Sequence, residues 1–234
     1  MTQIVAIGGG GFSTNSEPGL DTYVLNQANK PTPKIGFIGT ASGDDEGYLL
    51  KFYTRFSRLN CIPSHLPLFR RTPKVSDWVA TQDIIFVGGG NTKSLLAVWE
   101  TWELPALLSE AMFNGTILSG ISAGAICWFE SGLTDASGGA LLPLECLGFL
   151  EGSCSPHYSL EEDRKPAFET FISSGEMPSG VAIDDGAAVH FIDGTPARIV
   201  SATHGSSAHA IFLSSGKVIS EPIRNVQLID VSAL

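Results

Sequence analysis

Apolar positions in the first half of the chain fall into short unbroken runs, separated by longer stretches with amphipathic spacing. The runs at Gln3 to Ile7, Lys34 to Gly39, Asp83 to Val87 and Thr116 to Ile121 have the length and character of buried strands. Between them, Gly19 to Lys30, about Asp45 to Leu59, and Thr92 to Phe113 are expected to be helical, the last interrupted near Pro105. Cys61 to Phe69 is expected to be extended but irregular, because Pro63 and Pro67 cannot donate to a ladder. Ala123 to Glu130 is the next expected helix. Continuously apolar strands alternating with helices are what a parallel sheet covered on both faces requires.

The last fifty or so residues follow a different rhythm. Val181 to Asp184, Ala187 to Ile192, Ala197 to His204 and His209 to Leu213 succeed one another across short Gly-, Asp- or Ser-bearing turns. They are expected to be antiparallel strands extending or flanking the sheet. Ser131 to Ser155, rich in Gly, Ser and Leu, is expected to loop over a surface. The absence of an internal repeat or low-complexity linker favours one domain spanning residues 1–234.

Composition narrows the classes of function. Hydrophobic residues make up 43% of the 234 positions and charged residues 16%, enough apolar material for a large core. A formal charge of −10 argues against nucleic acid or an anionic membrane as the main partner. No stretch approaches the ~20 apolar residues that span a bilayer. Met1 leads straight into Ile4 to Ile7, without the basic segment and cleavage site of a signal peptide. Cys61, Cys127, Cys146 and Cys154 lack the spacing of a zinc site or a disulfide scaffold, so buried free thiols in a reducing, cytoplasmic setting are expected.

The strongest local signal for chemistry is Gly120-Ile121-Ser122-Ala123-Gly124, which fits G-x-S-x-G between a strand and a helix. A turn that tight demands small neighbours and holds the serine oxygen above the sheet edge. The N–H of Ala123 then points where an oxyanion would form. A plainer alternative makes Ser122 only the cap of the following helix. A second glycine-rich turn, Gly88-Gly89-Gly90-Asn91-Thr92, also joins an apolar strand to a helix, so Gly89 or Gly90 could complete an oxyanion hole. It lacks the spacing of a phosphate-binding P-loop, and the Gly8 to Gly11 run lacks the last glycine of a dinucleotide fingerprint.

A serine nucleophile needs a base and the base an orienting carboxylate. His157 follows Pro156 in a polar loop, a defined pose that suits a base. Spacing alone allows Ser122, His157 and Asp185, or Ser122 and Asp185 with His204 or His209. Asp184 and Asp135 are further carboxylate candidates, and His190 alternates within an apolar strand as a core or edge residue would.

Taken in order, GGGNT at 88–92, Gly120-Ile121-Ser122-Ala123-Gly124-Ala125 and Pro156-His157-Tyr158 resemble the peptidase E and cyanophycinase family of serine peptidases. The resemblance implies a class I glutamine amidotransferase-like, flavodoxin-like α/β three-layer sandwich, with serine where the amidotransferases use cysteine. It implies Ser122 as nucleophile and His157 as base. The family's third member is typically glutamate, and the matching stretch here, Gly180 to Gly186, offers Asp185, one methylene shorter. The backbone would then have to come closer, or a water intervene. Asn91 and Arg164 fall at positions resembling substrate-binding ones, Arg164 as a fixed cation for an N-terminal aspartate. The implied activity is hydrolysis of small peptides from the N-terminal end without metal or organic cofactor, and a homo-oligomer is compatible with it. Cyanophycinase-like cleavage, a relaxed aminopeptidase, an α/β-hydrolase esterase and a non-catalytic amidotransferase-like binding domain are the competing readings.

Overall fold

The computed structural model describes residues 1–224 and 226–233. Its larger sheet begins with β1 (Gln3–Ile7) and continues through β2 (Lys34–Ile38), the short β3 (Ile62–His65), β4 (Ile84–Val87) and β5 (Ile117–Ile121). These five lie parallel in the order β1-β5-β4-β2-β3. β3 takes the edge of the sheet, the place where its Pro63 can be tolerated. On the other side of β1, β10 (Ala187–Ile192) and β11 (Thr195–Ser201) pair antiparallel, and β14 (Gln227–Asp230) closes the sheet parallel to β11.

The central strands are apolar on both sides because helices cover both faces. Val5 and Ile7 of β1 point into one cluster, with Phe52 and Phe56 of α2 (Glu46–Phe56) and Leu20 and Val24 of α1 (Pro18–Gln27). Ile4 and Ala6 point the other way, toward α3 (Val75–Ala80), α4 (Thr92–Thr101) and α5 (Leu104–Phe113). The expected break near Pro105 falls between α4 and α5. Glu103 takes a left-handed φ of 54° there, and Pro105 sits in the first turn of α5, where its missing N–H costs nothing. The result is the flavodoxin-like sandwich of helix, sheet and helix.

The segment 131–155 corrects the sequence reading. It is not a surface loop. The helix α6 (Ala123–Ile126) ends early, and β6 (Phe129–Ser137), β7 (Ala140–Glu145) and β8 (Leu150–Ser155) follow. They build a second sheet with β9 (Gly180–Ile183), β12 (Ala208–Ser214) and β13 (Lys217–Pro222), in the order β13-β12-β9-β8-β6-β7. Its inner strands pair small residues, Ser131 with Ser153 and Gly132 with Cys154. All four are buried, so at these positions the small residues record close packing rather than exposure. The C-terminal strands are also divided between the two sheets rather than extending one.

Phe129, Leu150, Cys154, Ile183 and Ala208 of the second sheet share a core with Ile4, Val87 and Leu118 of the first. On its other face, α7 (Arg164–Ser174) seals Phe168 and Ile172 against Leu133, Ala182 and Ile211. No helix among the described residues is long and apolar enough to cross a membrane.

Candidate active site

β1, β4 and β5 end side by side, and their C-terminal ends carry the glycine-rich turns and Ser122. Ser122 adopts φ 55° and ψ −115°, a conformation that L residues rarely hold, and its N–H donates to the Ile7 carbonyl at 3.1 Å. The turn closes so tightly that a Cβ on Gly124 would stand 2.2 Å from the Val87 carbonyl oxygen. Ser122 makes no capping hydrogen bond to α6. Its Oγ lies instead 2.9 Å from Nε2 of His157, so the capping alternative does not describe it.

His157 follows the end of β8 with φ 55°, and its Nδ1 lies 2.8 Å from Oδ1 of Asp185, in the connection from β9 to β10. A carboxylate can only accept, so Nδ1 carries the proton and Nε2 is left to accept from the serine hydroxyl. The shorter aspartate makes this contact directly. Backbone approach achieves it: Asp185 pairs with Gly9 in a parallel bridge, and Gly186 N–H donates to the Gly9 carbonyl at 3.0 Å. A Cβ on Gly9 would lie 1.7 Å from Asp185 Oδ1 and 2.9 Å from His157 Nδ1. Gly9 was invisible to motif reading, because the Gly8 to Gly11 run suggests phosphate chemistry before it suggests close approach.

The alternatives lie elsewhere. His204 is exposed, and His209 sits on β12 with its ring 6.2 Å from that of Tyr158. Asp184 is buried and engaged by the Ser159 hydroxyl and, at 3.0 Å, by Ser207 N–H. Asp135 is exposed on β6.

Ser122, His157 and Asp185 line one side of a cleft of ≈ 580 Å³. The cleft is lined as well by the turn after β1 (Ser13, Thr14) and by the start of α2 (Asp45, Tyr48, Lys51). A larger hollow of ≈ 760 Å³ opens by Gln3, Asp83 and Thr116, at the other ends of the strands, and holds none of these residues.

Four expected substrate or oxyanion positions are already engaged by their surroundings. Arg164 is 4% exposed and does not line the cleft. Its guanidinium is spent on Glu161 at 2.5 Å and on the Leu133 carbonyl at 3.1 Å. Asn91 is likewise consumed by structure. Its Oδ1 caps α4 through Ser94 N–H at 2.8 Å, and its Nδ2 donates to the Ala136 carbonyl at 3.0 Å. Gly89 does face Ser122, yet its N–H already donates to the Tyr48 hydroxyl at 3.2 Å, while Gly90 packs against the Ala41 carbonyl. The Ala123 N–H has no backbone acceptor among the described residues.

Comparison with known proteins identifies the family. The model of peptidase family S51 matches residues 4–199. A Bacillus subtilis (strain 168) protein described as an uncharacterized peptidase, YgaJ, is 48% identical over 227 residues, covering 95% of this chain and 97% of the relative. Peptidase E of Pasteurella multocida (strain Pm70) is 24% identical over 224 residues, covering 92% of each. Among solved structures, a peptidase from an acI-B1 Actinobacterium superposes with a TM-score of 0.70 at 19% identity, over 94% of this chain and 97% of that one. A protein from Listeria monocytogenes EGD-e superposes at 0.60 and 17% identity, over 95% and 99%. Fold and sequence together define a peptidase of the flavodoxin-like α/β class. The chain belongs to peptidase family S51.

Proposed function

We propose that this chain is a serine peptidase that releases residues from the N-terminal end of small peptides through an acyl-enzyme on Ser122. The observation that carries the reading is the continuous chain from Ser122 Oγ through His157 to Asp185, at 2.9 and 2.8 Å, at the mouth of a cleft of small-peptide size.

Each group has a task its surroundings allow. His157 Nε2 takes the hydroxyl proton as Ser122 Oγ attacks the scissile carbonyl carbon. Asp185 holds the imidazole tautomer and stabilises the cation that forms. Ala123 N–H donates to the oxyanion, an interaction worth about 3 kcal/mol per donor in comparable sites. His157 then gives its proton to the leaving amine nitrogen as the C–N bond breaks. Water, deprotonated by the same Nε2, attacks the ester, and Ser122 leaves with its proton restored. The four cysteines are all free, which supports a reducing, cytoplasmic location.

An N-terminal acidic residue, if selected, would meet Lys51. It is the one lysine or arginine lining the cleft among the described residues. The buried Arg164 does not offer that cation.

Ser122→Ala removes the nucleophile but leaves the elbow backbone, so the variant is expected to fold and to lose at least a thousandfold in kcat on aminoacyl p-nitroanilides and dipeptides. Near wild-type turnover by this variant would refute the serine mechanism, and a wild-type protein inert on such a panel would favour a non-catalytic binding role.

A further inference from the structure

Gly89 packs against Ser122, a Cβ there lying 3.2 Å from the serine Cβ, and its amide is already in use. Its partner is the hydroxyl of Tyr48, a residue that motif reading leaves as an ordinary helix position. Several contacts fix that hydroxyl. The Tyr48 ring packs against both Phe12 and Phe37, with centroids 5.5 and 5.2 Å away. Its own backbone N–H is held at 2.7 Å by the Asp45 carboxylate that caps α2. Gly88 lies flat against the ring, since a Cβ there would be 2.9 Å from Tyr48 Cε1. The ring is therefore held in place, and Tyr48 lines the same cleft as Ser122 and His157.

Resting on the serine reading above, we propose that the Tyr48 hydroxyl is an oxyanion donor, acting with Ala123 N–H on the tetrahedral intermediate formed at Ser122. The phenol oxygen accepts from Gly89 N–H, so its own proton is left for an acceptor other than Gly89, and accepting one hydrogen bond strengthens the one it donates. Ser13 is the other side chain in hydrogen-bonding contact with the phenol, and its proton is committed to the Gly10 carbonyl at 2.6 Å. Turning the Tyr48 O–H toward the oxyanion moves no heavy atom. Burial pushes the phenol up to about 12, so it keeps its proton at neutral pH. The Gly89 amide thereby serves the oxyanion through the phenol instead of directly.

The test is Tyr48→Phe in the full chain, which keeps the ring in its aromatic cluster and removes only the oxygen. It is assayed on the p-nitroanilide that wild type hydrolyses fastest, and with the matching aminoacyl aldehyde, whose hemiacetal with Ser122 presents the same oxygen. The expected result is a fall of about a hundredfold in kcat with KM within threefold, and a comparable loss of aldehyde affinity. If Tyr48 merely shields Gly89, the variant frees that amide, and kcat and aldehyde affinity stay within threefold or improve. That result overturns the proposal while leaving the serine mechanism intact, provided Ser122→Ala is inactive. An active Ser122→Ala overturns both. Should Tyr48→Phe not fold, 3-fluorotyrosine at position 48 preserves every contact and makes the phenol a more acidic donor. Changes in kcat and aldehyde affinity of the same sign support the donor role, and none refutes it.

Discussion

Burying the Arg164 guanidinium against Glu161 and the Leu133 carbonyl withdraws one cation from substrate chemistry and leaves Lys51, which donates to the Ser13 carbonyl at 2.8 Å, lining the cleft. The two side chains should then respond differently to substitution. Arg164→Leu strands a buried carbonyl and is expected to cost about 1–3 kcal/mol in a urea titration, with no preference among substrates. Lys51→Met is expected to raise KM for Asp-Xaa dipeptides roughly tenfold, equivalent to about 1.4 kcal/mol, while leaving Ala-Xaa unchanged. Equal effects on both substrates would remove Lys51 from specificity. Residue type made Ser122 and His157 legible in advance, because an elbow and a proline-held histidine have distinctive neighbours. Lys51 and Tyr48 had no such signature. On a helix with amphipathic spacing, a lysine reads as a solvated position and a tyrosine as core, and only the fold turns both toward the cleft.

The elbow depends on how closely elements approach. α6 sits on the end of β4 with no room for a methyl group at Gly124. Gly124→Ala is expected to lower stability by about 1–3 kcal/mol and to lower kcat by more than that loss explains, since displacing α6 also displaces Ser122. Urea midpoints and kcat measured on the same preparation separate the two effects, and proportionate losses would argue against such coupling. Elements of this sandwich were readable in proportion to how simply their burial maps onto sequence. β1 and β4 are buried on both faces and so appear as apolar runs, while β5 is interrupted only by the buried Ser119 and by Gly120. The second sheet was missed because β6 and β8 pack through serine, glycine and cysteine, whose small size matters more than their polarity. The short α6 was overextended for a related reason, since Trp128 and Phe129 suit helix and strand alike.

At the scale of the molecule, α1 is tied to the large sheet through a buried polar cluster. His190 of β10 meets the Tyr23 hydroxyl at 2.8 Å and Arg198 of β11 at 3.2 Å. Burial lowers the His190 imidazole to about 4, with Arg198 adding to the effect. Between pH 6.5 and about 4 the unfolded chain therefore binds a proton that the folded one refuses, and stability rises with pH across that window. Asp21, pushed up to about 6 chiefly by burial, contributes a slope of opposite sign from 3.8 to about 6. His190→Gln is expected to lose less stability than wild type between pH 6.5 and 4, a difference on the order of 3 kcal/mol in chemical denaturation. Parallel pH curves for the two proteins would show that His190 does not govern this response. The proposed triad is also distributed over the whole architecture. Ser122 closes a strand of the first sheet, His157 follows one of the second, and Asp185 stands where the chain crosses back from the second to the first. During synthesis, the serine leaves the ribosome long before its histidine and aspartate. If Ser122 is the nucleophile proposed above, a nascent copy carries it without its base, and hydrolysis of small peptides begins only when assembly is nearly finished.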